Sequence, residues 1–287
     1  MLYIYHNYYV VLYVNRIYYL KSSKIVKLLL GYTLVNEFVG REGFNIQQYN
    51  KGNYSLFLKQ ARGENIPALV SEKEILIWLA QHFQNTPLVK RFENDGDVYS
   101  LIITAVPGEQ AQRMKTAFTK KEIIKLAALA LNRLHNTDLS TFPKTQNILD
   151  AELDNISSDI AQGRINIDEF TKATNSTPIA ALQKLQNQFA SLDQTALTHG
   201  DYCLPNILIT PEKLVSLIDW TKGGISDIHR DFSAIEGSIA RNFGQEFIPF
   251  FYQAYGIEPQ KVDRNKIEFF NLIDQFFYHR IPTQPIT

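Results

Sequence analysis

The sequence predicts an α+β fold with antiparallel strands in its N-terminal part and a larger, mainly helical part after them, and at 287 residues these form one large domain or two lobes. Three observations support this prediction. Residues 46–49 and 54–59 form two strand-like runs joined by the sequence NKGN, which is typical of a hairpin. Residues 120–136 carry apolar side chains at helical spacing. Residues 204–210 and 214–220 are short apolar runs separated by a Pro-Glu-Lys turn, which favours a second hairpin.

The composition is that of a globular protein with balanced charge. Of 287 residues, 45% are hydrophobic, and 29 basic side chains face 29 acidic ones. This hydrophobic share is ample for a core, and the neutral balance does not indicate a nucleic-acid or membrane-surface binder. The single cysteine, Cys203, excludes an internal disulfide framework and favours a reducing cytoplasm.

Residues 1–23 form a tyrosine-rich extension. Its apolar part, residues 8–14, is far too short to span a bilayer. Neither a basic leading region nor a small-residue cleavage site marks a signal peptide. We expect an appended strand or helix or a poorly ordered segment, and no membrane partner.

The candidate catalytic residues lie in the stretch THGDYCLPNILITPEKLVSLIDW, residues 198–220. Asp201 is followed five residues later by Asn206, and Asp219 closes the second apolar run. Phosphate transfer to an alcohol needs one carboxylate near the attacking hydroxyl and oxygen ligands for magnesium. Asp201 can accept or orient the hydroxyl proton. Asn206 and Asp219 can hold Mg²⁺ at the open end of the predicted hairpin.

This stretch resembles the catalytic loop of the aminoglycoside phosphotransferase family, in particular its 3'-phosphotransferases, which share the fold of protein kinases. The likeness continues through KGGISDIHRDFSAI, AYGIEP and FFNLIDQFF and covers about residues 24–277. It implies a two-lobed, protein-kinase-like fold, with a small N-terminal antiparallel-sheet lobe and a larger, mainly helical C-terminal lobe. It also implies ATP and Mg²⁺ as cofactors and the 3'-hydroxyl of an aminoglycoside as acceptor. The implied division is an extension (1–23), a nucleotide-binding lobe (24–106), a catalytic and acceptor-binding lobe (107–277) and a tail (278–287).

In the small lobe, a predicted strand at residues 32–39 precedes Gly40 and Gly43, which occupy the place of the loop that covers the phosphates in kinase-like folds. Glu42 departs from the family, which commonly has a serine there. A carboxylate at this position repels phosphate unless it points away.

Lys59, at the end of the second strand, is the candidate for binding the α and β phosphates. The helix that follows is predicted to begin at Ser71 as its cap. Glu72 and Glu74 both qualify as the acidic partner of Lys59, and the resemblance selects Glu72. A solvated acid in the first helical turn is the alternative for either one.

Residues 98–106 predict a third strand, and the Pro-Gly pair that follows suits a hinge between the lobes. By resemblance, backbone groups from Thr104 to Val106 meet the adenine edge.

In the large lobe, helix 120–136 ends at His135, which we interpret as a capping or packing residue. Residues 137–196 form an insertion before the catalytic loop. Asp168 and Glu169 occupy part of the acidic run that binds the polycationic acceptor in the family. The match fails at Thr171 and Lys172, where the relatives usually continue with acids.

The remaining acceptor-side residues follow the metal-binding aspartate. Lys222 stands where the family commonly has an arginine, and Asp227 lies in the same loop. Asp231 is predicted to stabilise the catalytic loop. Further on, Asp274 is kept, but Gln275 replaces a glutamate. By resemblance, ten residues beyond Phe277 displace a terminal carboxylate that contributes to the acceptor site, and they add His279 and Arg280.

Three alternatives stay open. The first is a kinase for another hydroxylated metabolite, such as a sugar, choline or an amino-acid alcohol. A protein kinase is disfavoured because Ile-Asp-Trp replaces Asp-Phe-Gly and no Ala-Pro-Glu segment follows. The third is a nucleotide-binding module without turnover. We expect a small-molecule partner, no nucleic acid, and a monomer or homodimer.

Overall fold

The computed structural model describes residues 2–5, 8–13, 16–20, 23–40, 43–143, 148–188 and 195–281. The chain divides after Val106 into two compact units. Within the described ranges, no helix is long and apolar enough to cross a membrane.

The first unit contains two antiparallel sheets. A three-stranded sheet, β1-β2-β3, is formed by residues of the N-terminal extension, and a five-stranded sheet has the order β4-β5-β6-β8-β7. The elements, in chain order, are β1 Leu2–Tyr5, β2 Tyr8–Tyr13, β3 Arg16–Leu20, α1 Ser23–Leu29, β4 Thr33–Val39, β5 Asn45–Lys51, β6 Tyr54–Ala61, α2 Ile66–His82, β7 Val89–Asp95 and β8 Val98–Thr104.

The two faces of the larger sheet are covered by different helices. Leu56 and Leu58 of β6 pack with Ile25 and Leu29 of α1, whereas Ala61 packs with Leu69 of α2. Successive side chains of a strand point to opposite faces. Lys59, two residues before Ala61, therefore lies on the face that α2 covers.

Helix α2 begins at Ile66, so the prediction that Ser71 caps its N-terminus is wrong. Pro67 occupies the first turn, where its missing N–H and fixed φ suit a helix start. Ser71 is an internal residue of the helix. Strand β7 is an edge strand that the residue pattern did not predict.

The second unit is mainly helical. Its elements are β9 Glu109–Gln110, α3 Lys120–His135, α4 Ile148–Ala161, α5 Ile167–Thr174, α6 Pro178–Gln188, β10 Thr195–Thr198, β11 Ile207–Ile209, β12 Val215–Leu217, β13 Gly224–Asp227, α7 His229–Asn242, α8 Ile248–Tyr255 and α9 Arg264–Tyr278. Small antiparallel pairings join β10 to β13 and β11 to both β12 and β9.

Helix α3 forms as its periodicity predicts. Thr119 and Glu122 make a reciprocal capping box at its start, and its apolar stripe, including Ile123, Ala127 and Leu131, is fully buried.

The predicted insertion before the catalytic loop contains three helices, α4, α5 and α6. Phe170 of α5 and Leu185 of α6 pack against Phe269, Phe270 and Phe276 of α9 in one buried cluster. This packing fixes α9, the helix that carries the predicted acceptor residues.

The second hairpin is shorter than predicted because residues 204–206 form a single 3₁₀ turn. Ile207 pairs with Leu217 at its open end, and the backbone N–H of Ile218 donates to the carbonyl of Asn206 at 3.0 Å. Asn206 and Asp219 are thereby brought to the same end of the hairpin, as the spacing predicts.

Candidate active site

Asp201 lies in the loop after β10, and its carboxylate is held by Asn206. The amide nitrogen of Asn206 donates to Asp201 Oδ2 and to the Asp201 carbonyl, each at 3.0 Å. Both residues are only partly buried. Because the amide nitrogen faces Asp201, the amide oxygen of Asn206 points elsewhere and can serve as a ligand.

Asp219 follows the hairpin in an unusual backbone conformation. Its φ is +65°, a left-handed value that is strained for a residue with a side chain and recurs at functional sites. The side chain is exposed, and Thr221 Oγ1 donates to Asp219 Oδ1 at 3.1 Å. His199 Nε2 lies 3.0 Å from the Ile218 carbonyl, which ties the catalytic loop to this segment.

The loop itself rests on Asp231. Its two carboxylate oxygens accept the backbone N–H groups of His199 and Gly200, each at 2.8 Å, and His135 Nε2 lies 3.0 Å from Oδ2. Burial opposes ionisation of Asp231, but its bonds with His135 and His199 lower its pKa below the ordinary value. The predicted loop-stabilising role of Asp231 and the packing role of His135 are confirmed.

In the first unit, Lys59 and Glu72 form a buried ion pair. Lys59 Nζ lies 3.0 Å from Glu72 Oε2, and the two side chains are 6% and 1% exposed. The ring of Phe44 covers the ammonium at 5.1 Å. Glu74 instead approaches Lys73 near the surface. The choice of Glu72 as the partner of Lys59 matches this geometry. The alternative, a solvated acid in the first helical turn, does not describe Glu72, because α2 begins at Ile66 and the Glu72 side chain is buried.

Of the residues predicted to bind the acceptor, Lys222 and Asp274 lie near the loop that carries Asp201. Lys222 Nζ stands 3.6 Å above the centre of the Phe277 ring. Burial raises the pKa of Asp274 to about 6, while Lys222 and Arg230 act to lower it and Asp201 to raise it. These groups therefore share one electrostatic environment. Gln275 is half-buried on the same helix.

The model of the phosphotransferase enzyme family, APH, matches residues 42–270 of this chain. The chain belongs to this phosphotransferase family. It is similar to an aminoglycoside 3'-phosphotransferase of Escherichia coli, with 27% identity over 261 residues that cover 89% of this chain and 94% of the relative. A second aminoglycoside 3'-phosphotransferase, from Niallia circulans, is 26% identical over 254 residues, with 87% and 95% covered.

Solved structures of the family show the same fold. A crystal structure of an aminoglycoside-3'-phosphotransferase of type VIII gives a TM-score of 0.73 at 24% identity, covering 86% of this chain and 94% of that one. A Streptomyces rimosus aminoglycoside phosphotransferase in complex with ADP and streptomycin gives 0.66 at 24% identity, covering 83% and 94%. The predicted α+β, protein-kinase-like fold class is confirmed.

The donor set at the hairpin end fits the magnesium that the phosphotransferase family implies. Mg²⁺ takes oxygen ligands, usually one or two carboxylates completed by water and substrate phosphates. Asn206 offers an amide oxygen and Asp219 a carboxylate on an exposed, strained backbone position. Within the described residues, no group of three or more His, Cys, Asp and Glu side chains could hold a metal.

Two backbone hydrogen bonds link the described residues that flank positions 41–42 of the predicted glycine loop. Gly43 N–H donates to the Gly40 carbonyl at 2.9 Å, and Gly40 N–H donates to the Phe44 carbonyl at 2.8 Å. Gly43 has φ +82°, which favours glycine. Glu42 lies outside the described residues, and phosphate covering by this loop stays a prediction.

At the predicted adenine edge, the N–H of Thr104 already has a partner. Its N–H donates to the Leu88 carbonyl at 3.0 Å, and its hydroxyl accepts the Leu88 N–H at 2.9 Å. Ala105 N–H likewise donates to Ser55. These bonds hold the end of β8 and occupy the N–H of Thr104, so a contact of Thr104 with the adenine edge through its carbonyl stays a prediction. For Val106 the role stays a prediction.

The prediction that Asp227 binds the substrate is also wrong, because its side chain is buried and both of its carboxylate oxygens have partners inside the protein. His229 Nδ1 lies 2.7 Å from Oδ1, and Lys266 Nζ lies 3.0 Å from Oδ2. Burial opposes ionisation, but these bonds lower the pKa of Asp227 to about 2. Asp227 joins β13 to α7 and α9 and is not presented to a substrate.

Asp168 and Glu169 lie on the exposed first turn of α5. Glu169 Oε2 is 3.8 Å from His279 Nδ1, so the tail after α9 reaches this acidic turn. Arg280 pairs with Asp159 at 2.9 Å, and its backbone bridges to Ile165. The substrate roles of Asp168, Glu169 and Gln275 stay predictions.

The sequence reasoning missed one charged pair beside the site. Arg230, buried at the start of α7, makes a bidentate contact with Glu152 of α4. Burial acts to lower the pKa of Arg230, but Glu152 raises it above its ordinary value. The sequence signal that could have indicated this pair is the position of Arg230, directly before the Asp231 that holds the loop.

Proposed function

We propose that this phosphotransferase transfers the terminal phosphate of ATP to the 3'-hydroxyl of an aminoglycoside, an antibiotic-modifying reaction. The observation that supports it most is the fixed Asp201 carboxylate, held by Asn206 on a loop that Asp231 anchors. The choice of an aminoglycoside as acceptor is based on the two aminoglycoside 3'-phosphotransferases, because this chain aligns with nearly their whole length. Residues 24–106 are proposed to bind the nucleotide, and residues 107–277 to carry catalysis and the acceptor.

In the proposed reaction, Asp201 accepts a hydrogen bond from the acceptor hydroxyl and directs it at the γ-phosphorus. The hydroxyl oxygen forms the new P–O bond, the bond to the ADP oxygen breaks, and the hydroxyl proton leaves toward Asp201. Lys59, held by Glu72, binds the α and β phosphates. Asn206 and Asp219 would hold Mg²⁺, which neutralises phosphate charge when bound. Positioning and charge neutralisation carry the catalysis.

The test is ADP release from ATP and magnesium with kanamycin or neomycin as acceptor. We expect acceptor-dependent turnover that falls about 10²–10⁴-fold in Asp201→Ala. Glu212→Ala, in the exposed turn between β11 and β12, should keep wild-type activity. NMR of the product should place the phosphate on the 3'-oxygen.

Two outcomes contradict the proposal. Phosphorylation at another hydroxyl overturns the assigned position. ATP binding without acceptor-dependent turnover across the panel overturns the activity on aminoglycosides and supports a nucleotide-binding module.

A second candidate acceptor is a less cationic alcohol such as a sugar, choline or an amino-acid alcohol. The positive charge of Lys222 beside Asp274 favours it. A panel of these alcohols, run under the same conditions, separates the two candidates by which acceptor gives the higher kcat/KM.

A further inference from the structure

Lys222 is placed beside the reaction centre by its backbone as well as its side chain. Gly200, next to Asp201, has φ +80°, and a Cβ built on it would lie 2.0 Å from the Lys222 carbonyl. The backbone of Lys222 thus touches the catalytic loop. Its ammonium reaches over the Phe277 ring at 3.6 Å, a distance typical of a close cation–π contact.

The ring that holds Lys222 and the carboxylate of Asp274 lie on one face of α9. Residues three apart on a helix are neighbours on its surface, and Asp274 and Phe277 have this spacing. A different face of the helix, with Phe269 and Phe276, is buried against α4–α6. The ammonium above Phe277 is therefore held near the Asp274 carboxylate.

The hydroxyl of Tyr278 is affected by the same charged residues. Burial, Asp274 and Asp201 raise the pKa of Tyr278, and Arg241 and Lys222 act to lower it. Asp274 feels the same Lys222 and Asp201 charges. Arg230, the other cation near Asp274, is committed to Glu152 through its two-fold contact. Lys222 is thus a cation that acts on Asp274 and whose backbone touches the loop of the catalytic carboxylate.

We propose that Lys222 is a specificity-determining residue, an internal cation that occupies the place opposite Asp274 where a polycationic acceptor would put an ammonium group. The inference rests on the proposed function and narrows its substrate class. The enzyme discriminates against acceptors with an amino group at this place and favours those with a hydroxyl. An acceptor ammonium brought beside Lys222 meets a like charge, and Asp274 is already partly neutralised.

Neomycin and paromomycin form a matched pair of probes, because they differ in whether one sugar carries an amino or a hydroxyl group. We expect wild-type enzyme to have the higher kcat/KM on paromomycin. Lys222→Met keeps the side-chain length and removes the charge, so the neomycin-to-paromomycin ratio should rise about 10-fold, the effect of about 1.4 kcal/mol, mainly through KM. Lys222→Arg should keep the wild-type ratio. Lys213→Met, an exposed lysine in the β11–β12 turn, controls for net charge.

Asp274→Asn tests whether the effect runs through this carboxylate. In the Lys222→Met/Asp274→Asn double variant, the change in ratio should disappear. An equal loss of kcat/KM on both probes in Lys222→Met would overturn the proposal, because it would place Lys222 on the transferring phosphate.

If wild-type enzyme phosphorylates neither probe, the proposed function fails, and binding alone decides the role of Lys222. Calorimetry with 2-deoxystreptamine, a dication, should then give tighter binding to Lys222→Met than to wild type. Unchanged or weaker binding would overturn the inference independently of turnover.

Discussion

The carboxylate of Asp231 accepts the backbone N–H of Gly200 at 2.8 Å, one residue before the proposed catalytic Asp201. A side chain at the start of α7 thus sets the path of a loop that lies thirty residues earlier in the chain. The bond is fully buried on the Asp231 side. Hydrogen bonds to a charged group contribute about 1.5–3 kcal/mol each, so this carboxylate is a strong constraint on the loop.

Asp231→Asn should lower both activity and stability. An asparagine offers one acceptor oxygen in place of two, so its NH₂ group faces a donor. We expect kcat to fall about 10²-fold, because a shift of the loop misplaces Asp201, and the free energy of unfolding to fall by about 1–3 kcal/mol. Steady-state kinetics and urea unfolding measure the two effects. Asp263→Asn, an exposed cap of α9 that asparagine also serves, should change neither.

The Lys59–Glu72 pair should behave as a buried pair whose halves cannot be removed singly. Glu72→Gln leaves a buried ammonium without its carboxylate, so the free energy of unfolding should drop by about 3–5 kcal/mol and KM for ATP should rise. Lys59→Met/Glu72→Leu should regain much of the stability but not ATP binding. Glu74→Gln, nearer the surface, is the control. Wild-type stability in Glu72→Gln would show that the pair does not persist in solution.

Gly200→Ala should be far more damaging than an alanine at another glycine of similar φ. A Cβ at position 200 would lie 2.0 Å from the Lys222 carbonyl, whereas at Gly96, with φ +66°, it would meet nothing within 4 Å. Gly96→Ala therefore measures the backbone strain alone, about 1–2 kcal/mol. Thermal unfolding of both variants separates strain from collision. Equal losses would mean that the loop can move away from Lys222.

Asp274→Asn should stabilise the protein at neutral pH. Its folded-state pKa is raised from 3.8 to about 6, so the charge of this partly buried carboxylate destabilises the fold fully above about pH 6, and this effect vanishes below about pH 4. The variant should be more stable at pH 7.5 by on the order of 2 kcal/mol and equal to wild type near pH 4. Urea unfolding at both pH values tests this. A less stable variant at pH 7.5 would mean that pairing with Lys222 outweighs burial.

Asp227→Asn should affect stability and leave acceptor KM unchanged. The folded-state pKa of Asp227 is lowered from 3.8 to about 2, so its stabilisation is present above about pH 4 and is lost as pH falls toward 2. At pH 7 the variant should lose at least about 2 kcal/mol of unfolding free energy, because Lys266 stays buried without its partner. A several-fold rise in the acceptor KM would instead indicate that Asp227 contacts the substrate.

Local chemistry was sufficient for much of the fold. The NKGN turn between β5 and β6 and the apolar stripe of α3 are signals carried within a few residues, and both elements formed as predicted. The start of α2 was misjudged because Ser71 is a good cap in isolation, whereas Pro67 in the first turn moved the helix start to Ile66. Edge strand β7 has no comparable local signal, because its pairing partner β8 decides its structure.

The sequence by itself determined the spacing of Asp201, Asn206 and Asp219, because a short hairpin brings its two ends together whatever surrounds it. Only the tertiary structure decided which charged residues can face a substrate and which are paired with other side chains inside the protein. The sequence alone does not distinguish Asp227 from Asp274. In the structure, Lys266 and His229 bind both carboxylate oxygens of Asp227, whereas Lys222, over the Phe277 ring, acts on Asp274 through its charge. Those partners come from distant elements, so packing, rather than local sequence, sets the burial and charge of each carboxylate.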